Sequence, residues 1–462
     1  MSDRQLELDD IQGNVLGGFN TDIQVLLFFS VAAGQISNAA AWVATLADEV
    51  TTASEVSARR DLIKTDIGPN APTWLFVAVS LGMLQGTAKD LSFNDIAFNT
   101  GHLNRAKSVL NDRTNPMTWV AGNVANPVDV LLLIGGNVDA AVARRADQLL
   151  KQATSAGLTL VWSENARRLE GEREHFGFRD GISQPLVTGY DPGDGMGAGN
   201  FVFGYPKTTG GAPVKPSLDP RCVADNGSLL VWRRLNQNVQ AFRDFCAAAA
   251  AQFSTDWPGL SEEHMAALLV GRWPSGAPVL AGQLVDPNPT ATENDFNFSD
   301  DSKGQSCPYG AHIRKVNPRK GKADVVDVPR LLRRGIPHGK PYDQAPGETD
   351  RGLTFLAFQT SIKEQFEFLT QHWMNSDLKP AQESDLLIGR RSSPGNLNIW
   401  GPAGPINVTG PADSWITPCG GAYLFAPSRS GLRKLAEPPA PAIQWRAQKL
   451  LLQLTSPFRE LF

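Results

Sequence analysis

Four runs of almost unbroken apolar residues set the frame of the chain: IQVLLFFSV (23–31), TWLFVAVS (73–80), VDVLLLIG (128–135) and, much later, LTFLAFQT (353–360). Each is rich in Val, Leu and Phe and is flanked by polar or turn residues, a pattern that predicts short buried strands. Helical periodicity lies between the early ones. Residues 39–53 are alanine-rich with apolar spacing near 3.6, and 138–156 repeat that character. This order predicts an α+β layer with helices on one face of an antiparallel sheet. A Gly/Pro-rich stretch, 189–216, then breaks the pattern. A second unit follows, with a strand at 228–235, a helix at 239–253, the 353–360 strand, a helix at 362–374 and a closing strand at 420–427. The similar element order hints at a duplicated α+β domain, although no literal repeat is present. The segment AIQWRAQKLLLQL near the end is amphipathic and is predicted to dock on the body.

A chain of 462 residues exceeds one ordinary core and predicts two domains, 1–215 and 216–462. Apolar content of 42% and charged content of 19% fit a water-soluble globular protein, and a net charge of -4 offers no basic face for nucleic acid. Cys222, Cys246, Cys307 and Cys419 match neither zinc nor disulfide spacing and are read as free thiols. The start, MSDRQLELDDIQGNVLGG, lacks a signal-peptide pattern, and the apolar runs are too short to span a bilayer. A cytoplasmic location is the default expectation, with a secreted mature form left open. GDGMGA (193–198) lacks the strand and helix of a dinucleotide-binding loop. Asn226, Asn297 and Asn407 lie in glycosylation sequons that matter only on secretion.

Three segments concentrate chemistry. In CPYGAHIRKVNPR (307–319), small Gly310 and Ala311 precede His312 and let a flat ring approach, while Arg314, Lys315 and Arg319 offer charge for carboxylates. On its own this segment equally suits a loop with a capping histidine. In GFRDGISQP (177–185), Asp180 stands between glycines, either to admit a bulky ligand or simply as an Asp-Gly turn. In PRLLRRGIPHG (329–339), apolar residues deliver Arg333 and Arg334, which equally suit a surface basic pair.

Taken together and in this order, the three segments resemble the signature segments of dye-decolorizing peroxidases. LDDIQGNVL (8–16), EHFGF (174–178), NGSLLVWRRL (226–235) and SDLLIG (384–389) are also similar to that family, so the resemblance covers nearly the whole chain. It is to the longer fungal and bacterial members. The resemblance implies two ferredoxin-like α+β domains with antiparallel sheets and peripheral helices, and a haem b between them. The first would carry the distal acid, the second the proximal histidine and distal arginine. It implies peroxide-driven one-electron oxidation of dyes and phenolics through an oxyferryl intermediate, by a monomer or homodimer. His312 matches the axial iron ligand, Asp180 the distal acid, Arg333 the distal arginine, Asp385 the carboxylate that orients the imidazole, and Arg314 a propionate partner. Leu353 and Phe355 match the apolar pair narrowing the distal pocket. Trp373 resembles an exposed tryptophan that relays electrons, with a core role as its alternative. His338 departs from the family, where tyrosine often stands. No CxxCH motif accompanies Cys307, so covalent c-type haem is not expected. A non-catalytic haem carrier or sensor and a haem-free binding module are the competing readings.

These roles make chemical sense. An aspartate has an ordinary pKa of about 3.9 and stays a competent base in acid, where a histidine is charged. An acidic optimum for dye oxidation is therefore expected.

Overall fold

Strands whose residues are apolar at every position need cover on both faces, and the architecture supplies it. The computed structural model describes residues 4–60, 62–65, 68, 70–279, 283–289, 294–319, 328–411 and 414–438. The first half runs β1 (Ile23–Val31), helix Ile36–Thr45, β2 (Trp74–Val79), β3 (Val130–Gly136), helix Asp139–Ser155 and β4 (Leu158–Arg167). These strands pair antiparallel in the order β2-β3-β1-β4. The second half runs β5 (Ser228–Gln237), helix Val239–Gln252, the short strands β6 (Leu332–Arg333) and β7 (Ile336–His338), β8 (Gly352–Gln359), a hairpin of β9 (Asn396–Gly401) and β10 (Gly404–Thr409), and β11 (Ile416–Ala426). Its order, β11-β5-β8-β7, is the same ferredoxin-like arrangement.

The two sheets close into one ring of eight antiparallel strands. The seams are narrow: a single register pair, Phe425 with Val79, joins β11 to β2, and Ala166 with His338 joins β4 to β7. Alternate side chains fill the ring: Leu26 and Phe28, Trp74 and Phe76, Leu131 and Leu133, Leu230 and Trp232, Leu356 and Phe358, and Leu424 belong to one core. Phe28 and Trp232 meet there with ring centroids 4.2 Å apart. The intervening residues, such as Val25, Leu27, Val77, Leu132 and Val231, form a second core with the helices through Ala40, Val43, Val142 and Leu149. That double burial explains the unbroken apolar runs.

Two expectations change. Residues 39–53 are not one helix. The helix Ile36–Thr45 ends in a 3-10 turn, and a new helix, Ala53–Arg59, starts at Thr52. A capping box causes the break: the Thr52 side chain accepts the Glu55 N–H, and the Glu55 carboxylate accepts the Thr52 N–H at 2.8 Å. Residues 362–374 are helical but widened to π pitch, as Ile362–Glu367 and Leu369–Met374. The amphipathic segment near the end lies outside the described residues. Among the described residues, no helix is long and apolar enough to cross a membrane.

Candidate active site

A cavity of about 290 Å³ lies outside the ring, against the outer face of β5 and β8. Leu235, Leu353, Phe355, Phe366, Leu369 and Leu387 give it apolar walls, and the loop 174–183 reaches over it from the first half.

His312 opens the short helix His312–Val316 and lines this cavity. Its Nδ1 is 2.8 Å from Oδ2 of Asp385, a fully buried residue 73 positions away. The other oxygen of Asp385 accepts the Leu387 and Ile388 N–H groups at 3.0 and 3.2 Å, so the carboxylate cannot swing. Nε2 of His312 has no hydrogen-bond partner among the described residues. Gly310 makes the pairing geometrically possible, though not by admitting a ring. A Cβ there would stand 2.3 Å from the Ser384 carbonyl oxygen, so only glycine lets the two segments pack.

Asp180 and Arg333 face the same cavity, with Arg333 NH1 3.9 Å from Asp180 Oδ1. Asp180 Oδ1 accepts the Gly181 N–H at 2.6 Å. Gly177 and Gly181 have φ of +100° and +78°, and a Cβ on either would meet nothing, so backbone conformation rather than space requires glycine there. Gln184 holds the main chain of Arg333 through two hydrogen bonds, of 3.1 and 3.0 Å, and the guanidinium also donates to Ser183 O. Arg334 points elsewhere. It donates to the carbonyls of Asn14, Val15 and Leu16, the open end of a helical turn.

Arg314, expected to meet a propionate, does not line the cavity. Its guanidinium is held by Asp301 Oδ2 at 2.7 Å and by the Asp301 and Cys307 carbonyls, between the rings of Phe298 and Tyr309. The cations that do face the cavity include Arg272, Arg319 and Arg330. Arg319 is fixed by Asn294, the Phe296 carbonyl and Ser183. Burial pushes Arg319 and Arg330 each down to about 10, and neighbouring arginines repel both. The Arg330 guanidinium makes no hydrogen bond among the described residues. A half-buried guanidinium with no hydrogen-bond partner among the described residues, beside an apolar slot, fits a flat apolar ligand bearing carboxylates, as a haem does.

Leu353 and Phe355, the expected apolar pair, both line the cavity. Trp373 is half-buried on the π-helix, its ring edge-on to Phe368 at 5.6 Å. His338 is buried with Nε2 3.1 Å from Asn236 Oδ1, and burial, with Arg234 second, pushes it down to about 3. It is a neutral part of the sheet seam. All four cysteines are free thiols.

Sequence reasoning passed over Glu174, inside the EHFGF segment. It lines the cavity and accepts the N–H groups of Phe176 at 3.0 Å and Phe178 at 2.9 Å, and the Gln237 amide. Burial, opposed by these bonds and reinforced by Asp180, pushes it up to about 7. A raised carboxyl pKa favours the folded state only while the group holds its proton. That contribution is complete below the ordinary carboxylate range and lost as pH rises through about 7. Thermal unfolding is therefore expected to show a wild-type midpoint that falls from pH 4.5 to pH 8 more than that of Glu174→Gln. Parallel falls would clear Glu174 as the source.

Known proteins with this combination are informative. Residues 10–167 match the model of the DyP dimeric alpha+beta barrel domain, and 280–387 that of the Dyp-type peroxidase C-terminal region. The chain is 30% identical to dye-decolorizing peroxidase msp1 of Mycetinis scorodonius over 466 residues, covering 93% of this chain and 87% of that protein. It is 31% identical to the multifunctional dye peroxidase DyP2 of an Amycolatopsis strain over 360 residues, 71% of this chain and 76% of that one. The solved structure of an Anabaena DyP-type peroxidase superposes with a TM-score of 0.78 at 26% identity, covering 93% and 94% of the two chains. A dye-decolorizing peroxidase in complex with 2,6-dimethoxyphenol gives 0.77 at 27% identity, covering 93% and 100%. The chain belongs to the DyP-type, or dye-decolorizing, peroxidase family, a family of haem enzymes.

Proposed function

We propose that this peroxidase holds haem b through His312 and uses Asp180 and Arg333 on hydrogen peroxide, oxidising dyes and phenolics in one-electron steps. The observation that carries this is the arrangement of a single cavity. The open nitrogen of His312, backed by a buried carboxylate, faces the same space as an acid and a guanidinium 3.9 Å apart. Haem b suits the sulfur chemistry, because Cys307 is buried and does not line the cavity, so its thiol is not presented to a porphyrin there. Bound there, the iron porphyrin supplies the redox chemistry.

The protein's own groups do the rest. Asp385 accepts the Nδ1 proton of His312 in a hydrogen bond and gives the ring partial imidazolate character, which strengthens Nε2 as a ligand. Asp180 Oδ1 is engaged by Gly181, so Oδ2 is the free base that takes a proton from one peroxide oxygen and returns it to the other. Arg333 fixes positive charge beside the leaving oxygen. Arg330 and Arg319, which line the cavity, would hold the propionates in place of Arg314, which does not. Leu353 and Phe355 narrow the approach and keep bulky molecules out. With the halves divided at 215/216, Asp180 comes from the first, and His312 and Arg333 come from the second.

The test begins with the absorption spectrum of the purified protein. One equivalent of hydrogen peroxide is expected to bleach and shift the Soret band within seconds; an unmoved band overturns the reading. Bulky dyes then need a route through the wall. Trp373 is half-buried on the helix whose Leu369 and Met374 line the cavity. Trp373→Ser is expected to lower turnover of anthraquinone dyes while small phenols are oxidised as before. Equal losses on both would make Trp373 structural.

A further inference from the structure

Two charged side chains behind His312 have no assigned role. Lys315 is fully buried, one turn after the histidine on the same short helix. Its Nζ donates to the carbonyl oxygens of Ala381 at 2.9 Å and Glu383 at 2.7 Å. Glu383 reaches back the other way: its Oε2 accepts the Gly310 N–H at 3.0 Å, two residues before the histidine. Its Oε1 accepts the Asn398 amide at 3.2 Å. Glu383 also holds φ at +101°, far outside the range of an ordinary L residue. Such strain persists only where surrounding contacts impose it, and it gathers at working sites.

The segment 310–315 is thus tied to 381–385 at three levels, with the His312–Asp385 pair between the two ties. The ammonium of Lys315 adds electrostatics. It meets carbonyls rather than a carboxylate, and burial pushes it down to about 8. The charges around it are Asp385, Asp377 and Glu383, which favour its proton, and Arg391, which opposes it. Arg391 itself donates to the Asp385 carbonyl at 2.8 Å.

We propose that Lys315 and Glu383 are positioning residues for the proximal imidazole. Together they lock His312 against Asp385, and their opposite charges set how much negative charge the ring receives. This rests on His312 being the axial ligand. A buried cation favours the less positive, reduced iron and competes for the charge of Asp385, and a buried anion does the reverse.

The experiment is spectroelectrochemistry of the ferric/ferrous couple in the haem-loaded protein, with resonance Raman of the iron–histidine stretch. Lys315→Gln keeps donors for the two carbonyls and removes the charge. It is expected to move the midpoint potential negative and raise the stretching frequency. Glu383→Gln keeps an acceptor for Gly310 and is expected to move both readings the opposite way. Unchanged values, or shifts of the same sign in both variants, overturn the proposal, because a purely structural role has no reason to follow charge. If Lys315→Gln does not fold, Glu383→Gln decides alone: a positive shift supports the proposal and no shift overturns it. Wild-type protein without a histidine-ligated haem spectrum would instead remove the assignment of His312, a separate failure.

Discussion

Asp180→Asn is expected to slow the reaction of the haem-loaded enzyme with hydrogen peroxide by about two to four orders of magnitude, the usual worth of a positioned proton-transfer group. Asparagine keeps the size of the side chain, and its carbonyl oxygen can still accept the Gly181 N–H that now engages Oδ1 at 2.6 Å. The turn survives, while the oxygen that took the peroxide proton becomes an amide nitrogen. Gly177 and Gly181 hold the turn by their own φ, independently of residue 180. Stopped-flow absorbance at the Soret band reads the bimolecular rate directly. A variant within a few-fold of wild type would place the proton transfer elsewhere, with Glu174 the next carboxyl in the cavity.

Arg333→Leu carries the second large effect, a loss of roughly a hundredfold to a thousandfold in the same rate, as for removal of one preorganised donor from a site of developing charge. The backbone tie to Gln184 uses main-chain atoms of residue 333 and outlasts the substitution. The loss therefore reports the guanidinium and not a displaced strand. The same stopped-flow trace checks it, and an intact rate would leave Arg333 a bystander. The double variant is expected to fall little below Asp180→Asn alone, because groups acting on one transition state are not additive.

What the chain disclosed in advance follows from how each element is covered. β1, β2, β3 and β8 were legible because the ring core lies on one face and helices or the apolar cavity lie on the other, leaving few polar interruptions. β4 was passed over because it is only partly covered and carries Glu164, which the buried Arg234 compensates from β5. β6 and β7 span two and three residues, too few for any period. The break after residue 48 was written in the sequence as Thr52 and Glu55, a capping signal overlooked beside a strong alanine pattern.

The site divides similarly. The resemblance pointed to His312, Asp385, Asp180 and Arg333, and the fold brings His312, Asp180 and Arg333 to one cavity with Asp385 buried behind the histidine. Arg314 and Arg319 both follow the histidine, and nothing local tells which faces inward. Asp301 and two aromatic rings claim the first, and Ser183 and Asn294 aim the second. Glu174 escaped because its role depends on Gln237, which is 63 residues away.

The roof of the cavity comes from a stretch that leaves the ribosome well before the histidine does. On the proposed reading, pigment retention and peroxide cleavage therefore rest on different parts of the chain, the first on His312 and Asp385 and the second on the 174–183 loop. A change confined to that loop is therefore expected to leave the pigment in place while peroxide turnover falls.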